Sequence, residues 1–489
     1  MSLDYELDEL RDFMKSTVDA VTDFISSVEE RPVVQATDAK KLRAQLSEAM
    51  PTRAMPMDDI LQEMREKVLN NATMTYGPNY HAYVASGGNH AGVIAEMISA
   101  ALVQNGAKWH LSPIAVEMER LTSRWIAKFI GYREDCAGVF TSGGSMANQV
   151  GLTVARNVKA PWDVKKDGLA GHRQLIIYAS DETHSCVIKS ANVLGIGTKG
   201  IRTIPTLPNG TIDVAALDDA IEHDWKRGVF PFCVVANAGT VNTGAVDPIN
   251  DLADICRKHD LWLHVDGAYG VVAAAVGEYK DLFAGLDRAD SIAVVPHKWL
   301  YVPVEDGVIL VRNADDLRNT YKQVPAYLDQ GRENGRFELN EHSFELSRSF
   351  KSLKVWATFK AYGADGLRNA IAKNINDVQE CADYIRSRRN FELIEPVNLS
   401  IVCFRYLGDT AGIRENENSL NALNRLILEK IERDGRMFLT GTTIEGKTVL
   451  RMCNINHRTT VEDLRNAVKI AAEIGKQCEQ ELVGMARTA

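Results

Sequence analysis

Six short apolar runs, at residues 138–141, 174–178, 232–236, 261–265, 292–295 and 308–311, alternate with helix-like stretches along the middle of this 489-residue chain. A strand that is apolar throughout has no face to offer water. It must be covered on both sides, and helices placed between successive strands do that covering. The alternation therefore predicts an α/β domain over residues 86–365, built on a mostly parallel sheet. In such a sheet ligands collect beyond the carboxyl ends of the strands. The residues that follow the runs are polar for so apolar a setting: Ser142, Gly143, Gly144 and Ser145, then His184, Thr240, Asp266 and Lys298.

The pattern changes on either side of this region. Residues 1–85 read as helices interrupted at Arg31-Pro32 and Met50-Pro51, with a turn at 76–79. Beyond 366, Ile371, Ile375, Val378, Ala382 and Ile385 recur at spacings of four and three, the stripe of a packed helix. Runs at 401–404 and 448–452, the second preceded by a turn at 445–447, predict a smaller α+β domain over 366–489.

Charge narrows the partners. The 56 Lys plus Arg stand against 65 Asp plus Glu, a formal charge of -9 that argues against a nucleic-acid backbone as ligand. The opening MSLDYELDEL is acidic where a signal peptide is basic and then apolar, and no run is long enough to cross a bilayer. A cytoplasmic protein is expected. Eight cysteines lie scattered without a C-x-x-C pair, the usage of free thiols rather than of a zinc site or a disulfide framework.

Residues 141–148, TSGGSMAN, follow one apolar run and precede a helical stretch. Two glycines let the backbone approach an anion, and the hydroxyls and free N–H groups of a helix start bind phosphate oxygens. A glycine turn with a serine cap explains the same residues. His264 and Asp266 lie two apart on one strand face, which suits a metal, yet no third ligand stands at a diagnostic spacing. A strand-end carboxylate can instead hold a protonated ring nitrogen, or simply cap the turn. Lys298, in VVPHKWL (294–300), is a cation at the end of an apolar run. A partly desolvated lysine has a lowered pKa and forms Schiff bases with carbonyl cofactors, whereas a lone lysine at a domain edge need only extend its head to water. The co-occurrence of the four is the stronger signal: an anion cradle, a strand-end Asp, a strand-end His and this lysine together make a site for pyridoxal 5'-phosphate. GIGTKG (195–200) also matches G-x-G-x-x-G. It follows a helix-like stretch and precedes a strand-like one, the reverse of the dinucleotide-binding order, and reads as a glycine-rich helix end.

With these residues in view, the chain resembles the group II pyridoxal-phosphate-dependent amino acid decarboxylases, the family of aromatic-L-amino-acid, histidine and glutamate decarboxylases, from about residue 60 to 480. The likeness is carried by HAYVASGG (81–88), WHLSPIAVEMER (109–120), FTSGGSMAN (140–148), SDETHS (180–185), NAGTVNTGAVDP (237–248), HVDGAYG (264–270), PHKWLYVP (296–303) and RSFKSLKVW (348–356), in that order. The resemblance implies the aspartate aminotransferase-like fold, fold type I, whose large domain holds a mostly parallel seven-stranded sheet. It implies Lys298 as the Schiff-base lysine, Asp266 on the pyridinium nitrogen, His184 stacked on the ring, and Gly143, Gly144, Ser145, Thr240, Ala268 and His297 around the cofactor. It further implies a homodimer with active sites at the subunit interface and the N-terminal helices in the partner contact.

Decarboxylases of this family commonly carry a tyrosine on a mobile loop before the RSFKSLKVW-like segment, where it assists protonation at Cα. Here no tyrosine stands between Tyr327 and Tyr362. His342 falls near that place, as a substitute proton donor or as a solvated loop histidine. Val295 stands where many relatives have a polar residue. The activity expected from the resemblance is decarboxylation of an L-amino acid to an amine and carbon dioxide. An oxygen-dependent aldehyde synthase uses the same cofactor and substrates, and His184 favours decarboxylation over it. A non-catalytic relative of the fold is the third reading, against which Lys298, Asp266 and His184 argue. Tyr83 and Trp109, with Val84, lean toward an aromatic substrate, and packing between subunits explains them equally well.

Overall fold

The computed structural model describes residues 3–35, 38–323 and 336–488. Seven strands make one sheet: β1 (Ala137–Thr141), β2 (Leu175–Ser180), β3 (Ile201–Ile204), β4 (Phe230–Asn237), β5 (Trp262–Gly267), β6 (Ser291–Val294) and β7 (Gly307–Val311). Their order is β1-β7-β6-β5-β4-β2-β3. Pairs from β6 to β3 are parallel, while β7 runs antiparallel to both β1 and β6. The six apolar runs account for six of these strands. The seventh, β3, lies at the sheet edge with only Ile204 of its residues buried, so it lacks the continuous apolar signature.

Successive residues of each strand serve opposite covers. Ile176, Tyr178, Val234, Leu263, Val265, Ile292 and Val294 pack into the core on one face, and Leu175, Ile177, Cys233, Val235, Trp262 and Ala293 into the core on the other. The helix Gly144–Lys159 lies on the second face. Gly151 lets it approach, because a Cβ at that position would sit 2.6 Å from Cε1 of His264 on β5.

A second sheet is antiparallel, in the order β10-β11-β9-β8, from β8 (Phe391–Ile394), β9 (Ile401–Tyr406), β10 (Thr440–Ile444) and β11 (Lys447–Cys453). Glu445 and Gly446 close the β10–β11 hairpin with φ of 49° and 80°, the two left-handed residues that a tight twisted hairpin requires. The stripe Ile371, Ile375, Val378, Ala382 and Ile385 is wholly buried on the helix Ser352–Arg386. Its first two residues enter the core under the large sheet and its last three the core under the small sheet, so one helix ties the two together. That helix is interrupted at Gly363 (φ 67°, ψ 163°), close to where the sequence pattern changes.

The N-terminal region carries the helices Leu7–Ser26, Ala39–Leu46 and Met57–Glu63, and the expected prolines fall between them. The first helix buries none of its residues, leaving Leu7, Leu10, Met14 and Val18 exposed. Among the described residues no helix is long and apolar enough to cross a membrane.

Candidate active site

The carboxyl ends of β1, β2, β4, β5 and β6 converge on a cavity of about 260 Å3. Gly144, Ser145, His184, Thr240, Asp266, Ala268, His297 and Lys298 line it. Gly143 stands at its edge, where an added Cβ would meet His297 Cε1 at 3.3 Å. At Gly144 an added Cβ would meet Ala268 and Val295 at 3.2 Å, so the backbone here is close to the cavity wall. The wall at this point is the amino end of a 16-residue helix, whose first N–H groups have no partner within the helix, and Ser145 lies in its first turn.

Asp266, the last residue but one of β5, is buried, with Oδ1 accepting the Ala268 N–H at 3.1 Å. Lys298 lies in the short helical turn Pro296–Trp299 after β6. Loss of hydration pulls its pKa below the usual lysine value, and the Asp266 carboxylate opposes that shift. His184 follows β2, and its Nδ1 accepts the Cys186 N–H at 3.2 Å, which leaves the ring proton on Nε2. Burial lowers its pKa, with Asp266 acting the other way and Lys298 reinforcing it. His297 is fixed in the same manner, because Nδ1 accepts the Asp306 N–H at 2.8 Å. Burial, aided by Lys298, holds its pKa at about 4. Thr240 is buried, and its Oγ1 accepts the Ala245 N–H at 3.1 Å.

These residues fit pyridoxal phosphate from one end to the other. A helix start with two close-packed glycines suits the phosphate, a desolvated amine suits the aldehyde, and a buried carboxylate in the same cavity suits the ring nitrogen. A larger hollow of about 350 Å3 lies nearby, walled by Asp181, Glu182, Glu395 and Glu445. Its described wall carries no lysine, arginine or histidine, so size and chemistry point to different places.

Three residues singled out in the sequence do not line the cavity of their own chain. Tyr83 is 60% exposed, with φ of 53°, and its carbonyl accepts Nη1 of Arg451 at 2.9 Å. Trp109 donates its indole N–H to Glu117 at 3.0 Å beneath the Arg336 guanidinium. His342 is buried, stacked on Phe337 at 4.1 Å, and its Nδ1 lies 2.8 Å from the Glu338 carbonyl. A carbonyl only accepts, so the ring proton is committed there, and burial holds the pKa at about 4. Part of the loop that carries the tyrosine argument, residues 330–335 together with Tyr327, lies outside the described residues. His264 points both ring nitrogens into the protein, to Ser291 Oγ at 2.8 Å and Asn148 Oδ1 at 2.7 Å, and so shares no ligand position with Asp266. GIGTKG follows the helix Cys186–Val193 and leads into β3, the order read from the sequence.

Sequence reasoning passed over Asn148 and Cys186, which also line the cavity. Each sits at or just past the end of a motif already singled out, TSGGSMAN and SDETHS.

The profile of the pyridoxal-dependent decarboxylase conserved domain matches residues 39–407. An aromatic-L-amino-acid decarboxylase of Bacillus atrophaeus is 34% identical over 95% of this chain and 95% of its own. A phenylacetaldehyde synthase of Arabidopsis thaliana is 30% identical over 95% of this chain and 96% of its own. The crystal structure of Oryza sativa TDC with PLP and tryptamine superposes with a TM-score of 0.91 at 28% identity, covering 97% of this chain and 99% of that one.

Proposed function

Because the chain belongs to the pyridoxal-dependent decarboxylase family and is a pyridoxal-phosphate-dependent carboxy-lyase, we propose that it removes carbon dioxide from an aromatic L-amino acid, with Lys298, Asp266 and His184 as its working residues. The observation that carries this reading is the meeting of those three side chains with a helix amino end in one cavity. The aromatic preference is supported by the relatives, which are named for aromatic amino acids or for tryptophan and tyrosine.

In this reading Lys298 holds the cofactor's aldehyde carbon, Asp266 its ring nitrogen, His184 its ring face, and Gly143, Gly144, Ser145 and His297 its phosphate side, with Thr240 and Ala268 walling the ring. When bound, the cofactor supplies an electron sink for the pair left as the bond to the substrate carboxylate breaks. The protein's part is electrostatic and positional. Burial keeps the Lys298 amine less protonated than a surface lysine and thus nucleophilic. Asp266 keeps a negative charge where a ring proton must be retained. His184, which lines the cavity, is neutral with its ring proton on Nε2 and so can act as a donor. His342 has its ring proton committed to Glu338 and stays outside this set.

The exposed Leu7, Leu10, Met14 and Val18 form a groove with Met97, which supports a second copy of the chain as the cover of the N-terminal helix. A cytoplasmic location is part of this reading, supported by eight cysteines that all stand as free thiols.

The test is a panel of L-amino acids with added pyridoxal phosphate, scored for carbon dioxide and for amine. Aromatic substrates are expected to give the two in equal amounts, and release from glutamate alone would overturn the aromatic assignment. A second reading, aldehyde synthesis, draws on the phenylacetaldehyde synthase likeness and on the absence of tyrosine between Tyr327 and Tyr362. Aldehyde, ammonia and peroxide in place of amine would establish it.

A further inference from the structure

Behind Asp266 a series of hydrogen bonds runs through five side chains, and chemistry fixes the direction of each. The Trp262 indole can only donate, and gives its N–H to Ser291 Oγ at 2.8 Å. The one hydroxyl proton of Ser291 is then left for His264 Nδ1, also at 2.8 Å. His264 Nε2 lies 2.7 Å from Oδ1 of Asn148. The orientation of that amide is set by the Gly144 carbonyl, which can only accept and lies 2.9 Å from Asn148 Nδ2. Oδ1 therefore faces the imidazole, whose proton sits on Nε2. The remaining amide hydrogen of Asn148 reaches Cys186 Sγ at 3.4 Å, and the thiol in turn points at Oδ2 of Asp266, 4.0 Å away.

All five side chains are buried, and Trp262, Ser291 and His264 lie outside the cavity lining that Asn148 and Cys186 join, so the first links of the series are shielded from solvent. A group that accepts one hydrogen bond donates the next more strongly, and the effect grows where the surroundings are apolar. The last link, a thiol at long range, is weak by itself, and donation through Asn148 is what strengthens it. Lys298 and His184 line the same cavity as the Asp266 carboxylate.

We propose that Trp262, Ser291, His264, Asn148 and Cys186 form a polarised donor relay that positions Asp266 and partly neutralises Oδ2 from behind. The carboxylate then stays ionised but weakly basic, and leaves the proton on the nitrogen it faces. Asn148 and Cys186 are positioning residues in this scheme, which rests on the reading that Asp266 holds the cofactor's ring nitrogen.

The experiment compares holoenzyme of Cys186→Ala, Cys186→Ser, Asn148→Leu and Asp266→Asn by pH titration of the bound cofactor's visible absorbance, beside kcat and KM. Loss of the relay lets Asp266 draw the ring proton toward itself, so the ring withdraws less and the nitrogen shared with Lys298 becomes more basic. Cys186→Ala and Asn148→Leu are expected to raise the titration midpoint by about half a pH unit or more, and to lower kcat about tenfold at constant KM. Cys186→Ser, which keeps a donor, is expected to stay at the wild-type midpoint. Asp266→Asn is expected to move the midpoint further the same way. Should Asp266→Asn leave the spectrum unchanged, the assignment of Asp266 fails and the relay with it. Should Asp266→Asn move it while Cys186→Ala, folded with a wild-type melting temperature, does not, the relay alone is refuted.

Discussion

The imidazole of His81 is fully buried, and neither ring nitrogen has a hydrogen-bond partner among the described residues. Burial pushes its pKa down to about 4, so it is carried as a neutral, unsatisfied polar ring. Each unpartnered buried group costs about 1–3 kcal/mol, and a phenyl ring fills a similar space without that cost. His81→Phe is therefore expected to leave stability unchanged or raise it by about 1 kcal/mol, read from urea unfolding; a large loss would mean that the ring has a partner after all. Lys298 is tested by borohydride reduction of the holoenzyme and peptide mapping: label is expected on that lysine, and Lys298→Arg is expected to lower kcat by about 100-fold or more. Lys298, Asp266 and His184 were legible in the sequence because they stand together with an anion cradle at the ends of apolar strands, although each alone has a structural explanation. Cys186 looks like any core thiol in the sequence, and Asn148 acquires meaning only when the helix face it occupies is known to meet His264.

Among the elements, the helix Gly144–Lys159 does most to shape the site, since its first turn faces the cavity and its middle packs over β5. Its seating depends on Gly151, where a methyl group would lie 2.6 Å from one ring atom of His264 and 2.7 Å from another. Gly151→Ala is expected to destabilise the protein by about 1–3 kcal/mol, and to weaken pyridoxal phosphate binding by displacing the first turn. Thermal melting and a spectrophotometric cofactor titration check both. Gly412→Ala, at a helical glycine with open space around it, is the control and is expected to be harmless. At this scale the sequence was clearest where burial was two-sided. The interior strands declared themselves as apolar runs, whereas β3 at the edge reads as strand-like only in weighing the context of GIGTKG. The break at Gly363 falls close to the change of pattern near 366, and the regular apolar spacing belongs to the part of the helix beyond it.

Across the whole molecule, the two sheets share the helix Ser352–Arg386, so the cofactor cavity and the small sheet cannot shift independently without opening a buried seam. The change of pattern from strand-and-helix alternation to a helix stripe foretold both units; that one helix belongs to both cores emerges only in three dimensions. The interior also stores a pH dependence. His81, His264, His297, His342 and His457 all have pKa values pushed from 6.5 down to about 4, with burial the largest cause in each. When the chain unfolds, each recovers its ordinary value. Between about pH 6.5 and 4 the unfolded chain therefore binds more protons than the folded one, so stability rises with pH through this window. The contribution is complete above 6.5 and is lost as pH falls through 4. Melting temperature is expected to be flat from pH 8 to 7 and to fall steadily from about pH 6 to 4.5. His81→Phe removes one of these five histidines and is expected to make the decline shallower. A melting temperature constant down to about pH 4.5 would show that these histidines gain protons in the folded state as readily as in the unfolded one.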